Sequence, residues 1–285
     1  MKFDLNSEII GKGSFATVYA VSEKECVKVS STFAMLDEKQ KALLNIMTPR
    51  YASSVHRSLA DQCLAEAQYL RELSDCPNVV NCLDAYCEEE KNSSGINVCL
   101  HLERLDPLSK KASCKTLSAK EAIALGKDIC KALIACREKG LIHQDIKPEN
   151  IFCSADGAYK LGDFGIAVRK GQSYNITNSG GTINTLAPEV YAGSEPDYLS
   201  DLYSLGMVLY RLLNNGYDPF IRSEEEQNSA ACRYRAFTAR MSEDQLPAPS
   251  QADPALAAVI VKACHRDRAK RYASAEEFYE ALSSL

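Results

Sequence analysis

His143-Gln144-Asp145-Ile146-Lys147-Pro148-Glu149-Asn150, followed thirteen residues on by Asp163-Phe164-Gly165, decides how this chain is read. Asp145 and Asp163 are carboxylates, Asn150 an amide and Lys147 an ammonium, all at short fixed spacings. Phosphoryl transfer demands that set: a base to orient a hydroxyl, oxygens for Mg²⁺, and a cation against phosphate charge. Leu141-Ile142 before the stretch and Ile151-Phe152 after it are apolar anchors, and Pro148 keeps the stretch out of a regular helix. A carboxylate on such a loop is both held and accessible. An isolated Asp in a loop usually caps a turn, but the accompanying Lys and Asn favour chemistry here. Asp163 follows another short strand and is a second candidate metal ligand beside Asn150.

Upstream partners strengthen the reading. Gly11-Lys12-Gly13-Ser14-Phe15-Ala16-Thr17-Val18 forms a turn between two strands. Glycines there let backbone N–H groups approach phosphate oxygens. Val18 on the return strand is placed to cover one face of a flat base. Lys28 lies between Val27 and Val29 in an apolar strand, where a buried charge needs a partner. Glu66 on the next strong helix is the natural one, although a lysine on the solvent face of an edge strand is the competing reading.

Composition bounds the class. The chain has 285 residues, 46% hydrophobic and 25% charged, which suits one large or two medium globular domains. A net charge of −5 offers no general reason to bind nucleic acid or an anionic membrane. No apolar run approaches the roughly 20 residues that span a bilayer, and the N-terminus has no signal-peptide pattern. The expected location is cytoplasmic, with neither membrane nor nucleic acid as a partner. Twelve cysteines include no CxxC and no zinc-site spacing, so they are read as small buried hydrophobes.

The first hundred residues read mainly as strands: a glycine turn over 9–20, Cys26–Val29, and Asn97–Leu102. A helix is predicted over Leu59–Leu73, and a helical piece over Leu36–Met47 with a break at Pro49. After Arg104 the pattern becomes helical. Ser118–Lys139 has a capping box in Ser118 and Glu121 and a stop at Gly140. Leu199–Leu213, Ala255–Cys264 and Ser274–Leu282 follow, and the acidic run Ser223–Gln227 reads as a solvated loop.

In this order the residues resemble a eukaryotic-type serine/threonine protein kinase, similar to small bacterial members, over nearly the whole chain. The resemblance implies an α+β, bilobal protein-kinase-like fold: a small antiparallel β-sheet N-lobe with its helix C, and a mainly α-helical C-lobe. It implies a single kinase domain over 1–285, with 1–103 as N-lobe, an insertion near 30–57, and 104–285 as C-lobe. It implies an enzyme that transfers the γ-phosphate of Mg-ATP to a Ser/Thr hydroxyl of a protein substrate, with Mn²⁺ as an alternative ion. Asp145 would be the catalytic base, acting with Lys147 and Asn150. Ile10, Gly11, Gly13, Val18, Lys28, Glu66, Glu103 and Leu105 would bind ATP, the last two at the adenine through backbone groups. Asn150 and Asp163 would hold the metal. Ala187-Pro188-Glu189 matches the end of the family's activation segment, with Arg271 pairing Glu189 and Asp201 bracing the catalytic loop. Thr182 would contact Asp145 and Lys147.

Three departures stand out. Gln144 occupies the place of an arginine that pairs with a phosphorylated activation segment, so phosphates on Ser173, Tyr174, Thr177 or Ser179 are not expected to be strictly required. Arg169 or Lys170 could substitute for that arginine. Ala16 replaces a third glycine, costing about 1–2 kcal/mol if the position needs positive φ. Lys28 and Glu66 are 38 residues apart, longer than usual. The extra segment is either a docking element for a regulator or a tolerated surface insertion. Glu38 is an alternative partner for Lys28. A pseudokinase or nucleotide-binding scaffold is the alternative function, and it would normally lack one of Lys28, Asp145, Asn150 or Asp163. A small-molecule kinase would lack the Ala-Pro-Glu segment and its braces.

Overall fold

The computed structural model describes residues 7–13, 15–90, 93–110, 116–171, 183–242 and 245–285. Ser173, Tyr174, Thr177, Ser179 and Thr182 lie outside the described residues. The chain divides into two compact units, one of residues 1–75 and 80–105, the other of 76–79 and 106–285.

The first unit is a five-stranded antiparallel sheet with helices. Its strands are β1 (Ile9–Lys12), β2 (Ala16–Ala20), β3 (Glu25–Ser31), β4 (Cys82–Glu89) and β5 (Ile96–Glu103), in the order β1-β2-β3-β5-β4. β3 is therefore the middle strand, and Lys28 is not on an edge. Directly opposed residues share a face. Gly11 opposes Val18, Val18 opposes Lys28, and Lys28 opposes Leu100. The adjacent register positions Val27, Val29 and Cys99 form a buried apolar cluster with Tyr19 and Tyr86.

Two helices lie between β3 and β4. α1 (Glu38–Ile46) starts at a capping box of Asp37 and Gln40, and none of its residues is buried. α2 (Pro49–Glu72) is longer than the sequence pattern predicts. The helical run does break before Pro49, which itself occupies the first turn of α2, where a missing N–H costs nothing, and Thr48 caps it by accepting from Tyr51 N. Ala52, His56, Ala60, Glu66, Ala67 and Leu70 are buried along it. Small residues and a histidine carry little apolar signal, which is why the first turns escape a search for hydrophobic periodicity.

The second unit is mainly helical. α3 (Ala119–Glu138) has the expected Ser118–Glu121 capping box, and Gly140 beyond it takes φ +71°. Short strands follow β6 (Asp106–Pro107): β7 (Leu141–Ile142), β8 (Ile151–Cys153), β9 (Tyr159–Leu161) and β10 (Val168–Arg169). They pair as β6-β8-β9 and β10-β7. α4 (Pro188–Tyr191) precedes the almost wholly buried α5 (Tyr198–Leu212), which Asp197 and Ser200 cap reciprocally. Next come α6 (Glu224–Asn228), α7 (Ala230–Ser242), α8 (Pro254–Ala263) and α9 (Ala275–Ser283). The acidic run at 223–227 is thus largely helical rather than loop, its carboxylates favoured in the first turn beneath the Ser223 cap. Gly206 lets α5 approach α8 closely: a Cβ there would stand 2.7 Å from Cys264 Sγ.

Candidate active site

The loop around Asp145 is built by β7 and β8 on either side and by α5 beneath it. Asp201, in the first turn of α5, is buried and accepts from His143 N at 2.7 Å and Gln144 N at 2.8 Å. Gln144 takes φ +68°, a conformation that non-glycine residues adopt rarely, and these bonds hold it there. Burial pushes the Asp201 carboxyl up to about 7, against the pull of its two N–H donors. His143 is fully buried. Its Nδ1 accepts from Asp145 N at 3.3 Å, so Nε2 carries the proton and donates to Gly162 O at 3.1 Å. Burial holds the His143 pKa below its ordinary value. Phe164 packs against this ring edge-on, with centroids 4.6 Å apart.

Three predicted catalytic residues meet on this loop. Asp145 Oδ2 accepts from Lys147 Nζ at 2.6 Å and from Asn150 Nδ2 at 2.9 Å. Asn150 Nδ2 also donates to Asp145 O at 2.9 Å. Both amide protons are thus spent on Asp145, and Oδ1 is the Asn150 atom suited to a cation. Pro148–Asn150 is a single 3₁₀ turn, as a proline at that place allows. Gly162 N donates to Asn150 O at 2.9 Å, which ties the exposed Asp163 to the same loop. Asp163 takes φ +58°. One carboxylate and one amide oxygen fit Mg²⁺, which binds few protein groups and keeps waters and phosphate oxygens. Among the described residues no cluster of three or more acidic, histidine or cysteine side chains forms a self-sufficient metal cage.

In the first unit, Lys28 Nζ contacts both Glu66 oxygens, at 2.9 and 2.8 Å. Glu38 instead pairs with Lys41 at 2.8 Å. The β1–β2 turn is closed by Gly13 N donating to Ala16 O at 2.8 Å. A Cβ on Gly11 or Gly13 would meet only ordinary contacts, no nearer than 3.5 Å, so the fold itself does not demand glycine at either. Ala16 lies in β2 without positive φ, so the conditional cost of that replacement does not arise. Ile10 is in β1. Glu103 ends β5; its N–H donates to Asn81 O at 3.1 Å and its carboxylate accepts from Asn81 N at 2.7 Å. Its carbonyl accepts from Cys26 Sγ at 3.6 Å. Leu105 follows, half-buried.

The segment after Asp163 is held at both ends. Gln144 Nε2 donates to Ile166 O at 3.1 Å. Arg169 donates to Lys139 O at 3.0 Å, and Lys170 lies over the Tyr198 ring. At the far end Arg271, with a side chain 0% exposed, grips Glu189 through two 2.7 Å bonds. Arg240 on α7 escapes sequence reasoning. It is 3% exposed, donates to Ile183 O (2.7 Å), Leu186 O (3.1 Å) and Tyr203 OH (3.3 Å), and stacks near Phe237. Its partners are two backbone carbonyls and the Tyr203 hydroxyl, and no residue pattern announces that set.

Among the described residues no helix is long and apolar enough to cross a membrane. The sequence profile of the protein kinase domain matches residues 5–282. The chain is similar to a probable serine/threonine-protein kinase of Clostridium perfringens, 32% identical over 225 residues, covering 77% of this chain and 31% of the relative. It is also similar to the serine/threonine-protein kinase PknB of Mycobacterium leprae, 38% identical over 164 residues, 55% of this chain and 25% of the relative. A probable PknB of Bifidobacterium longum is 39% identical over 166 residues, 55% of this chain and 22% of the relative. The chain thus spans about a third or less of the length of the curated relatives it matches. With the antiparallel sheet, the helical unit and the loop geometry in agreement with that profile, the chain belongs to the protein kinase domain family.

Proposed function

We propose that this chain transfers the γ-phosphate of ATP to serine or threonine hydroxyls of protein substrates. The observation that carries the reading is the convergence of Lys147 and Asn150 on Asp145, a loop carboxylate fixed from below by Asp201. Asp145 orients the substrate hydroxyl and accepts its proton as the new bond forms. Lys147 opposes charge on the transferring group. Lys28, steadied by Glu66, positions the α and β phosphates. Glycines 11 and 13, which the fold does not need for steric reasons, leave room for phosphate oxygens to approach the backbone. Ile10 and Val18 cover the adenine, with Glu103 and Leu105 meeting its edge through backbone groups. Asn150 and Asp163 hold Mg²⁺, or Mn²⁺ in its place; when bound, the ion neutralises charge on the phosphoryl oxygens. The protein's share is positioning and electrostatics rather than covalent chemistry.

Lysine two residues after Asp145 and the named relatives favour serine or threonine as acceptor. Cysteines buried singly in apolar surroundings, such as Cys130, Cys136 and Cys264, support a reducing, cytoplasmic setting. Segment 30–57 is proposed as a regulator's docking element, supported by exposed Leu43, Ile46, Met47 and Tyr51 on α1 and the start of α2.

The test incubates purified protein with radiolabelled ATP, Mg²⁺ and a generic basic protein, beside Asp145→Asn. Label on serine or threonine, lost in the variant, is the expected result. ATP binding without label in either protein would replace the enzyme with a nucleotide-binding scaffold. Absence of both would overturn the roles of Gly11 and Lys28.

A further inference from the structure

Among the described residues, side-chain hydrogen bonds join β3 and its exit to α2 at two places. The first is Lys28 with Glu66. The second lies ten residues earlier on α2, about 15 Å along its axis at 1.5 Å per residue. There His56, 1% exposed, meets Thr32, the fully buried residue that follows β3. Thr32 Oγ1 accepts from Ile96 N at 2.7 Å, so its own hydroxyl proton is directed at His56 Nδ1, 2.9 Å away. That places the ring proton on Nε2, which donates to Ser94 Oγ at 3.3 Å. Thr32 N donates in turn to Ile96 O at 3.0 Å, so the donor of this latch is itself pinned to β5. Ala52 and Ala60, one turn to either side of His56, are buried with it and bring the helix close.

We infer that His56 is a positioning residue for the Lys28–Glu66 pair. A helix held to a sheet at one point can pivot about it. A helix held at two points three turns apart cannot roll or lift at Glu66 without also breaking the His56–Thr32 bond. Lys28 and Thr32 come from one strand and its exit, so the two attachments share a single reference. The segment that lengthens the distance between Lys28 and Glu66 therefore includes the second support of the pair. This inference rests on the proposed role of Lys28 in holding ATP.

The test measures the ATP dissociation constant by calorimetry, with KM for ATP and for a basic protein substrate, in His56→Leu, His56→Asn and Thr32→Val. Loss of one buried hydrogen bond predicts ATP affinity weakened about three- to tenfold in His56→Leu, with KM for the protein substrate unchanged. His56→Asn, whose side-chain oxygen can replace Nδ1, should restore affinity to within about twofold. Thr32→Val should match His56→Leu, and combining the two should add little. Should His56→Leu not fold, Thr32→Val decides the same point. Variants that lose thermal stability but bind ATP like the parent would overturn the inference and leave a merely structural histidine. Lys28→Ala run alongside separates the two readings. If it leaves ATP affinity unmoved, the role of Lys28 falls; if it alone weakens binding, only the role of His56 falls.

Discussion

Arg271 has five N–H donors, and each has an acceptor. Two bonds go to Glu189, and the others to the carbonyls of His265, Leu199 and Arg266. Tyr203 lies beneath the guanidinium, its centroid 4.7 Å away. A planar fork is required for this arrangement, which is why lysine could not stand in. Removing it leaves a poorly exposed Glu189 carboxylate that, among the described residues, keeps the edge contact of Arg268 at 3.9 Å. Breaking a buried pair in this way costs about 3–5 kcal/mol. Arg271→Ala is therefore expected to lower the urea midpoint of unfolding substantially, while Glu276→Ala, which removes an exposed partner of Arg137, should change it little. Equal effects from the two would show that the Glu189 site is not buried as described. The pairing itself was implied by the resemblance to the kinase family, in which Ala187-Pro188-Glu189 matches the end of the activation segment. The three carbonyl acceptors were not, since a carbonyl is present at every residue and only the folded path brings particular ones to hand.

At the scale of elements, the segment that follows Asp163 separates local from distant control. Gln144 is uncharged and is engaged with Ile166 O, so the start of this segment is held without a phosphate. Arg240 and Arg271 hold its far end from α7 and from the turn before α9. Glutamine cannot make the charge-assisted bidentate bond that recognises a phosphate. Alanine at Ser173, Tyr174, Thr177 and Ser179 together is thus expected to leave more than about a third of the activity, since Gln144 offers a phosphate no charge-assisted pair that the substitutions could remove. Activity abolished in that variant, and restored by phosphorylation in the parent, would reverse this reading. Elements differ in how openly the sequence declares them. α3 and α5 carry caps and long apolar faces. The first turns of α2 carry alanines, a histidine and a proline, which resemble a loop until packing against the sheet is known. α6 resembles one too, because three successive glutamates read equally well as solvated coil or as a first helical turn.

At the scale of the whole molecule, each unit encloses one neutral histidine, and acid acts on both. Burial lowers the pKa of His56 and of His143 below the ordinary 6.5. The unfolded chain takes up a proton at each below that pH and the folded chain resists, so stability is complete above 6.5 and is lost as pH falls through the lowered values. Asp201 acts in the opposite sense. Raised from 3.8 to about 7, it retains a proton that the unfolded chain releases, and that contribution is lost as pH rises through about 7. Between pH 6.5 and 5 the melting temperature of the parent is expected to drop relative to that of His56→Asn, which keeps the Thr32 bond without a titrating ring. Parallel pH profiles in parent and variant would mean that His56 does not resist protonation. What the sequence alone determined is the family and the chemical groups of the site, because those depend on residue types at short spacings within single loops and strands. It determined the main helices as well, through caps and periodicity that local physics enforces. Only the tertiary structure decided how each group is held: the Asp201 bonds that sustain positive φ at Gln144, the Thr32–His56 latch, and the carbonyls gathered by Arg240. Those contacts join residues 24 to 58 positions apart, and their partners are polar atoms that hydrophobic patterning does not mark.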